Sequence, residues 1–153
     1  MKLNIEKVLP SLKEDYYAWI IETAKAIREG RFEHIDWDKV AEELEDMGRS
    51  ERRELRNRLA LLLAHLLKWF YQPKERTRSW FFTIKEQRKE ILYILEDSPS
   101  LKQELKELIP KAYEKALLIA QRETGLEEKA FPPECPWSIE EILNESFPDL
   151  SYS

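Results

Sequence analysis

A histidine and a lysine lie one helical turn apart in the least polar stretch of the chain, HLLKWFYQ at residues 65–72. At 100° per residue, His65 and Lys68 fall on the side of the predicted helix away from its leucines. A histidine exchanges protons near neutral pH, so this side could supply acid–base chemistry or face another helix as a polar seam. The simpler interpretation is the solvated edge of the helix. The full line is Arg58, Leu61, His65, Lys68 and Gln72.

Two long polar side chains, Gln87 and Arg88, interrupt the apolar stripe of the next predicted helix. A guanidinium directed at a core needs a partner, because breaking a buried ion pair costs on the order of 3 to 5 kcal/mol. Glu43 is the best placed acid on the preceding helices. We therefore predict a Glu43–Arg88 ion pair that His65 can join. The candidate polar cluster is Glu43, His65, Lys68, Gln87 and Arg88.

A buried polar cluster is structural more often than catalytic, since ion-pair networks also occur in inert cores. An enzyme would use His65 and Glu43 as base and acid. Three candidate nucleophiles, Ser79, Thr83 and Cys135, have neither a strained elbow nor a neighbouring base. Neither histidine follows a glutamate by three residues, as di-iron bundles require, and no glycine-rich phosphate loop is present. The sequence therefore predicts no metal and no cofactor, and favours a protein that is not an enzyme.

Positive charge is concentrated in the middle of the chain, although the net charge is −5. Residues 49–89 hold 12 basic and 4 acidic residues, for a net charge of +8, whereas residues 1–48 carry −5 and residues 90–153 carry −8. The simpler interpretation is that basic helices pack among acidic ones and pair with them at their rims. The alternative is a basic surface for phosphates or nucleic acid.

Aromatic and basic residues alternate over residues 68–89, a mixture that can stack bases and neutralise phosphates. The preferred interpretation is packing, because the aromatic residues lie at the ends of two predicted helices joined by a turn. Three cations of that turn remain available to an anion or an acidic partner. This candidate basic turn consists of Lys74, Arg76 and Arg78.

Apolar residues at spacings of three and four predict the amphipathic helices that must position these groups. The predicted helices span about 12–29, 36–48, 51–71, 79–97 and 101–125. Gly48 is expected to stop or bend the second, and Pro110 to kink or divide the last. The apolar stripe of the first is Leu12, Tyr16, Ile20, Ala24 and Ile27, and that of the second is Trp37, Val40, Leu44 and Met47.

The segment 51–71 is apolar on most of its sides, which predicts a position near the centre of a bundle. After it, four prolines between Pro132 and Pro148 and the aromatic residues near them predict an ordered strap. Ser138 and Glu141 form a capping box for a short last helix.

Length and composition predict one helix-rich domain over residues 1–153, with 36% charged residues and three glycines. The predicted fold is all-α. It consists of a bundle of four or five main helices over about 12–125, followed by a proline-rich strap and a short terminal helix over about 126–147. A single cysteine fits a reducing cytoplasm, and the longest apolar run is too short for a bilayer. We therefore expect a cytoplasmic protein without membrane contact.

Four sequence motifs occur in order: WDKVAEELEDMGRSERRELRNRL, HLLKWFYQP, RSWFFTIKEQR with SPSL, and FPPECPW. With them the chain resembles the domain of unknown function 29 family, a bacterial family common in cyanobacteria, from about Asp15 to Phe147. The resemblance implies a helical fold and a bacterial origin, and it implies no activity. The family's motif positions fall on Trp37, Glu43, Gly48, His65, Lys68, Trp69, Arg78, Trp80, Gln87, Arg88, Cys135, Pro136 and Trp137.

The function that the sequence favours is a non-enzymatic helical module that binds another protein or self-associates through the basic turn and its neighbours. One alternative is nucleic-acid or anion binding by residues 49–89. A second alternative is an enzyme that uses His65 and Glu43. A large exposed apolar patch on the first helix or the strap would favour a protein partner or a dimer.

Overall fold

The protein is all-α throughout the residues that its structure, a computed structural model, describes: residue 11 and residues 13–149. Four main helices and one short terminal helix occur there, and no strand, which confirms the predicted class. They are α1 (Tyr16–Arg28), α2 (Trp37–Tyr71), α3 (Arg78–Asp97), α4 (Leu105–Thr124) and α5 (Ile139–Leu143). Short 3₁₀ segments join them at Phe32–His34, Pro73–Glu75, Pro99–Glu104 and Glu128–Ala130.

The second and third predicted helices are one continuous helix, α2, of 35 residues. Gly48 was expected to stop or bend the chain, but a glycine inside a helix costs only about 1 kcal/mol relative to alanine. Its φ is not positive, unlike that of Gly30 and Gly125. The helix-favouring residues on both sides of Gly48 therefore continue the hydrogen-bonded ladder through it.

Other helix ends follow local chemistry. The Ser138–Glu141 capping box is present at α5, and Gly125 ends α4 in the left-handed conformation with φ of 77°. By contrast, α3 begins one residue before its predicted start, because the hydroxyl of Thr77 accepts a hydrogen bond from the Trp80 amide. The segment predicted to start a helix at residue 101 is instead a 3₁₀ turn, and α4 then passes through Pro110 without ending.

The chain divides into two compact units, the first ending at Met47 and the second beginning at Gly48. In the described part of the first unit the buried side chains include Trp19, Thr23 and Ala26 of α1, together with Ile35. The stripe predicted for this helix is on its exposed side: Tyr16, Ile20, Ala24 and Ile27 are exposed, and Leu12 lies outside the described residues. Both faces of α1 have apolar spacings of three and four, so periodicity alone could not decide which is buried.

The core of the second unit is built around the C-terminal part of α2, where most side chains from Leu55 to Trp69 are buried. Buried residues of α3 and α4 pack in the same core, as do Phe131 and Ile142. The proline-rich strap is held by ring contacts, including Phe131 with Tyr71 at 5.7 Å between centroids. The central position predicted for this helix and the ordered strap are therefore confirmed.

None of the helices in the described residues combines the length and the apolar character that a bilayer crossing needs.

We expect Gly48→Ala to raise the free energy of unfolding by about 1 kcal/mol, since alanine favours the helix and its Cβ would meet nothing within 4 Å. The matched control is Gly125→Ala, where the added Cβ also meets no atom but the left-handed backbone makes alanine cost about 1 to 2 kcal/mol. Urea unfolding followed by circular dichroism measures both. Destabilisation by Gly48→Ala would show that the residue marks a real break in α2.

Candidate functional site

Lys68 is the most deeply buried lysine described in the chain, with 3% of its surface exposed. Its ammonium lies 2.5 Å from a carboxylate oxygen of Glu123, in the last turn of α4, and 4.8 Å from the centre of the Trp80 ring. The hydrogen bond from Lys68 lowers the pKa of Glu123. Sequence reasoning singled out Lys68 but missed Glu123, which is 55 residues away along the chain.

His65 lies beside this ion pair and is partly buried. Its Nδ1 is 2.8 Å from the carbonyl oxygen of Leu61, and because a carbonyl only accepts, Nδ1 carries the proton. Burial lowers the pKa of His65, and the Lys68 ammonium lowers it further, against the Leu61 hydrogen bond and the Glu123 carboxylate. The imidazole is therefore neutral at pH 7, with Nε2 as a hydrogen-bond acceptor.

Arg88 is fully buried, as the sequence predicted, and its hydrogen-bond partner in the second unit is a backbone carbonyl group. Its Nε donates to the carbonyl oxygen of Ile142 at 2.8 Å, while Glu43 accepts a hydrogen bond at 2.6 Å from the Tyr16 hydroxyl within the first unit. Desolvation lowers the pKa of Arg88 to about 10, against the attraction of the Glu145 carboxylate. Each group therefore has a hydrogen-bond partner within its own unit, and the Glu43–Arg88 ion pair stays a prediction.

One guanidinium nitrogen of Arg88, Nη2, is buried without a hydrogen-bond partner among the described residues. A cavity of about 20 Å³ adjoins Arg88 and is lined also by Lys85, Lys89 and Glu145. This volume is close to that needed for one water molecule, which could satisfy the nitrogen. The fifth member of the predicted cluster, Gln87, is buried and accepts from Arg58 at 3.3 Å.

The candidate basic turn is partly engaged by its own chain. The Nε of Arg76 donates to the carbonyl oxygen of Trp69 at 2.8 Å, and its guanidinium lies 4.6 Å from the centre of the Trp69 ring. Arg78 lies 5.3 Å from the centre of the Phe82 ring. Because Arg76 binds a carbonyl in the last turn of α2, it closes that helix end. Lys74 is exposed.

A groove of about 600 Å³ between α4 and the strap was missed by sequence reasoning. Its volume lies in the range of ligand pockets. The apolar part of its lining includes Ile109, Tyr113, Leu117, Pro133, Cys135 and Trp137, and its charged residues are Lys106, Glu114 and Glu134. The motif FPPECPW was the only sequence feature that marked this region, and it indicated a strap, not a cavity.

Two polar groups of this groove, the Tyr113 hydroxyl and the Cys135 thiol, are directed at backbone carbonyl groups. The Tyr113 hydroxyl donates to the carbonyl oxygen of Pro132 at 2.6 Å, and the Cys135 thiol is 3.6 Å from the carbonyl oxygen of Trp137. Burial raises the pKa of both Tyr113 and Cys135. A thiol kept protonated is a poor nucleophile, so this arrangement suits binding better than covalent chemistry. No metal-binding group of three or more side chains occurs within the described residues.

The protein-family comparison matches residues 12–148 to the family described as Domain of unknown function DUF29. The chain belongs to this family. Neither the curated proteins nor the solved structures gave a match.

Removing Glu123 should lower the free energy of unfolding more than removing Lys68. Glu123→Ala leaves a buried ammonium without its carboxylate and should cost about 2 kcal/mol, below the roughly 3 to 5 for fully buried pairs because Glu123 is 38% exposed. Lys68→Met retains the packing and leaves Glu123 in contact with water, and should cost less than about 1 kcal/mol. Urea unfolding measures both, with the exposed Glu114→Ala in the same helix as control. An equal or larger cost for Lys68→Met would contradict this account.

Stability should fall as the pH decreases from 7.5 to 5.5, and part of that loss should depend on His65. Its folded pKa lies below the unfolded value of about 6.5, so below that pH the unfolded chain binds the proton first and is favoured. We expect His65→Gln to show a shallower decline of melting temperature over this range than the wild type. The same slope in wild type and His65→Gln would exclude the contribution of His65.

Proposed function

We propose that this DUF29 chain is a protein-interaction module that docks a partner on its N-terminal hairpin, defined as α1, the Phe32–His34 turn and the first turns of α2 to Met47. The observation that carries the proposal is the exposure of this hairpin's large apolar residues. Leu44 is 60% exposed and Met47 is 63% exposed. The full set is Tyr16, Tyr17, Ile20, Ile21, Ile27, Phe32, Trp37, Leu44 and Met47.

These residues form stripes and are not scattered. Trp37, Leu44 and Met47 follow one another at spacings of seven and three, so they share one side of α2. On α1, Tyr16, Ile20 and Ile27 likewise share a side. Apolar residues concentrated in this way mark interaction sites in soluble proteins, whereas single exposed ones are ordinary. The spacing suits an amphipathic helix laid against the hairpin.

The charge of the hairpin indicates the charge that a partner helix must carry. Residues 13–47 contain 11 acidic and 5 basic residues. On α2, Asp38 and Glu45 lie next to the Leu44 stripe by helical geometry. Complementary charge therefore requires a partner helix with basic residues beside its apolar face. A second copy of the chain would bring an equally acidic surface, so a different protein fits better than self-association.

The basic turn supports docking less well than the hairpin. Arg76 is committed to the Trp69 carbonyl and ring, and Arg78 to the Phe82 ring. A partner that recruited these cations would have to replace contacts that already close the end of α2. The hairpin side chains require no such replacement, because their apolar atoms are exposed.

The test is a binding titration with two synthetic amphipathic helical peptides that share one apolar face and carry either lysine or glutamate beside it. We expect the lysine peptide to bind, and Leu44→Gln with Met47→Gln to weaken it about tenfold, since the lost apolar contact corresponds to roughly 1.4 kcal/mol. The control is Leu118→Gln, an exposed leucine in the second unit. It should leave the affinity unchanged.

Three outcomes would overturn the proposal: no binding of the lysine peptide, equal binding of both peptides, or equal affinity for wild type and the Leu44 and Met47 double variant. Sedimentation equilibrium of the protein alone supplies a further check. A dimer that the same double variant dissolves would identify a second copy as the occupant and contradict the proposed heterologous partner.

A further inference from the structure

Four arginines of α2 converge on one small cavity in the second unit. They occupy relative positions i, i+3, i+4 and i+7, which place their side chains on one side of the helix. A cavity of about 140 Å³ is lined by these arginines together with Leu108 of α4. The arginine face consists of Arg49, Arg52, Arg53 and Arg56.

Only part of this positive charge is balanced by the protein. Arg52 contacts two carboxylates, with its Nε 3.5 Å from Glu104 and its Nη2 3.4 Å from Glu107, and Arg49 also has an interaction partner. Arg53 and Arg56 have no hydrogen bond or ion pair within the described chain. Neither has an acidic residue three or four positions away in the helix, where Arg58 finds Glu54. The like charges therefore repel, at about 0.2 to 0.5 kcal/mol for each adjacent pair.

Arg52 is held in one orientation by two carboxylates. Its Nε is buried and has no hydrogen bond, because the Glu104 oxygen at 3.5 Å is an ion-pair contact without hydrogen-bond geometry. Glu104, directly before α4, and Glu107, in its first turn, nevertheless hold this guanidinium in place beside Leu108. A pre-oriented guanidinium next to two arginines that have no hydrogen bond or ion pair among the described residues is an arrangement that recognises an oxyanion.

We propose that the arginine face binds one compact phosphoryl group. Guanidinium groups match the oxygens of phosphate with paired hydrogen bonds, and the cavity has room for a single tetrahedral oxyanion. Glu104 and Glu107 stand beside it and would repel the adjacent phosphates of an extended polyanion. The shared chemistry is a phosphate dianion, free or as the terminal group of a small phosphomonoester, and this site is independent of the N-terminal hairpin.

The experiment is a titration of the whole chain with inorganic phosphate, phenyl phosphate and a short DNA duplex, at constant ionic strength with chloride as the balancing anion. Phosphorus magnetic resonance and melting temperature are measured. We expect both small phosphates to bind, and Arg53→Gln with Arg56→Gln to weaken them at least tenfold. Stronger binding of phenyl phosphate would identify an ester as the better ligand, and equal binding would identify the phosphate group alone.

Two further double variants distinguish the effect of hydrogen-bond geometry on phosphate binding from the effect of net charge. Arg53→Lys with Arg56→Lys retains both charges but loses the paired hydrogen bonds, and should weaken phosphate binding severalfold. Lys74→Gln with Arg78→Gln removes two charges from the basic turn and should change the affinity for phosphate less than twofold. Circular dichroism verifies that each variant is folded.

The inference is overturned if phosphate shifts neither the resonance nor the melting temperature beyond chloride. It is also overturned if the two basic-turn substitutions weaken binding as much as those at Arg53 and Arg56. Tight DNA binding that depends on Arg53 and Arg56 would replace the compact site by a polyanion surface.

Discussion

The ammonium of Lys68 lies inside the most apolar part of the chain, and the architecture of the second unit follows from the need to neutralise it. Removing a charge from water is costly unless a partner and further favourable contacts are supplied. The partner is Glu123 at the end of α4, and the aromatic contact is Trp80 at the start of α3. One charged group therefore specifies that three helix segments meet beside it. Directly after Glu123, α4 ends at Gly125 and the chain continues into the strap, whose Phe131 contacts Tyr71.

The helix that carries Lys68 also presents both surfaces to which we assign binding. From Leu55 onward most of α2 is core, whereas Leu44 and Met47 are exposed apolar residues and the arginine face lies between. Side-chain exposure decreases along α2 because its C-terminal part is enclosed by other elements of the second unit. A residue's position along α2 is therefore as informative about its role as its chemical type.

For the candidate polar cluster, side-chain periodicity predicts which residues face the core but not which residues they contact. It correctly indicated that Gln87 and Arg88 are directed into the core, because both lie between buried isoleucines of one helix stripe. It did not supply their neighbours: Glu123 and Ile142 are 55 and 54 residues away from the cations they contact. The acid chosen for Arg88, Glu43, was selected for its place on a stripe, and that stripe is exposed at Leu44 and Met47. The groove beside Cys135 had no counterpart in the reasoning, since a cavity is defined by two segments that do not pack fully together.

The sequence by itself determined the all-α class, the end of α4 near residue 125, the capping box of α5 and the central role of residues 55–69. Each of these depends on residues within a few positions of one another, or on the burial of a segment that is apolar on nearly every side. Only the tertiary structure decided which face of α1 is buried, that α2 continues through Gly48, and which groups satisfy Lys68 and Arg88. These outcomes depend on contacts between distant segments, and the local pattern is compatible with more than one such set. The arginine spacing was visible in the sequence, but only the tertiary structure placed Glu104 and Glu107 beside Arg52.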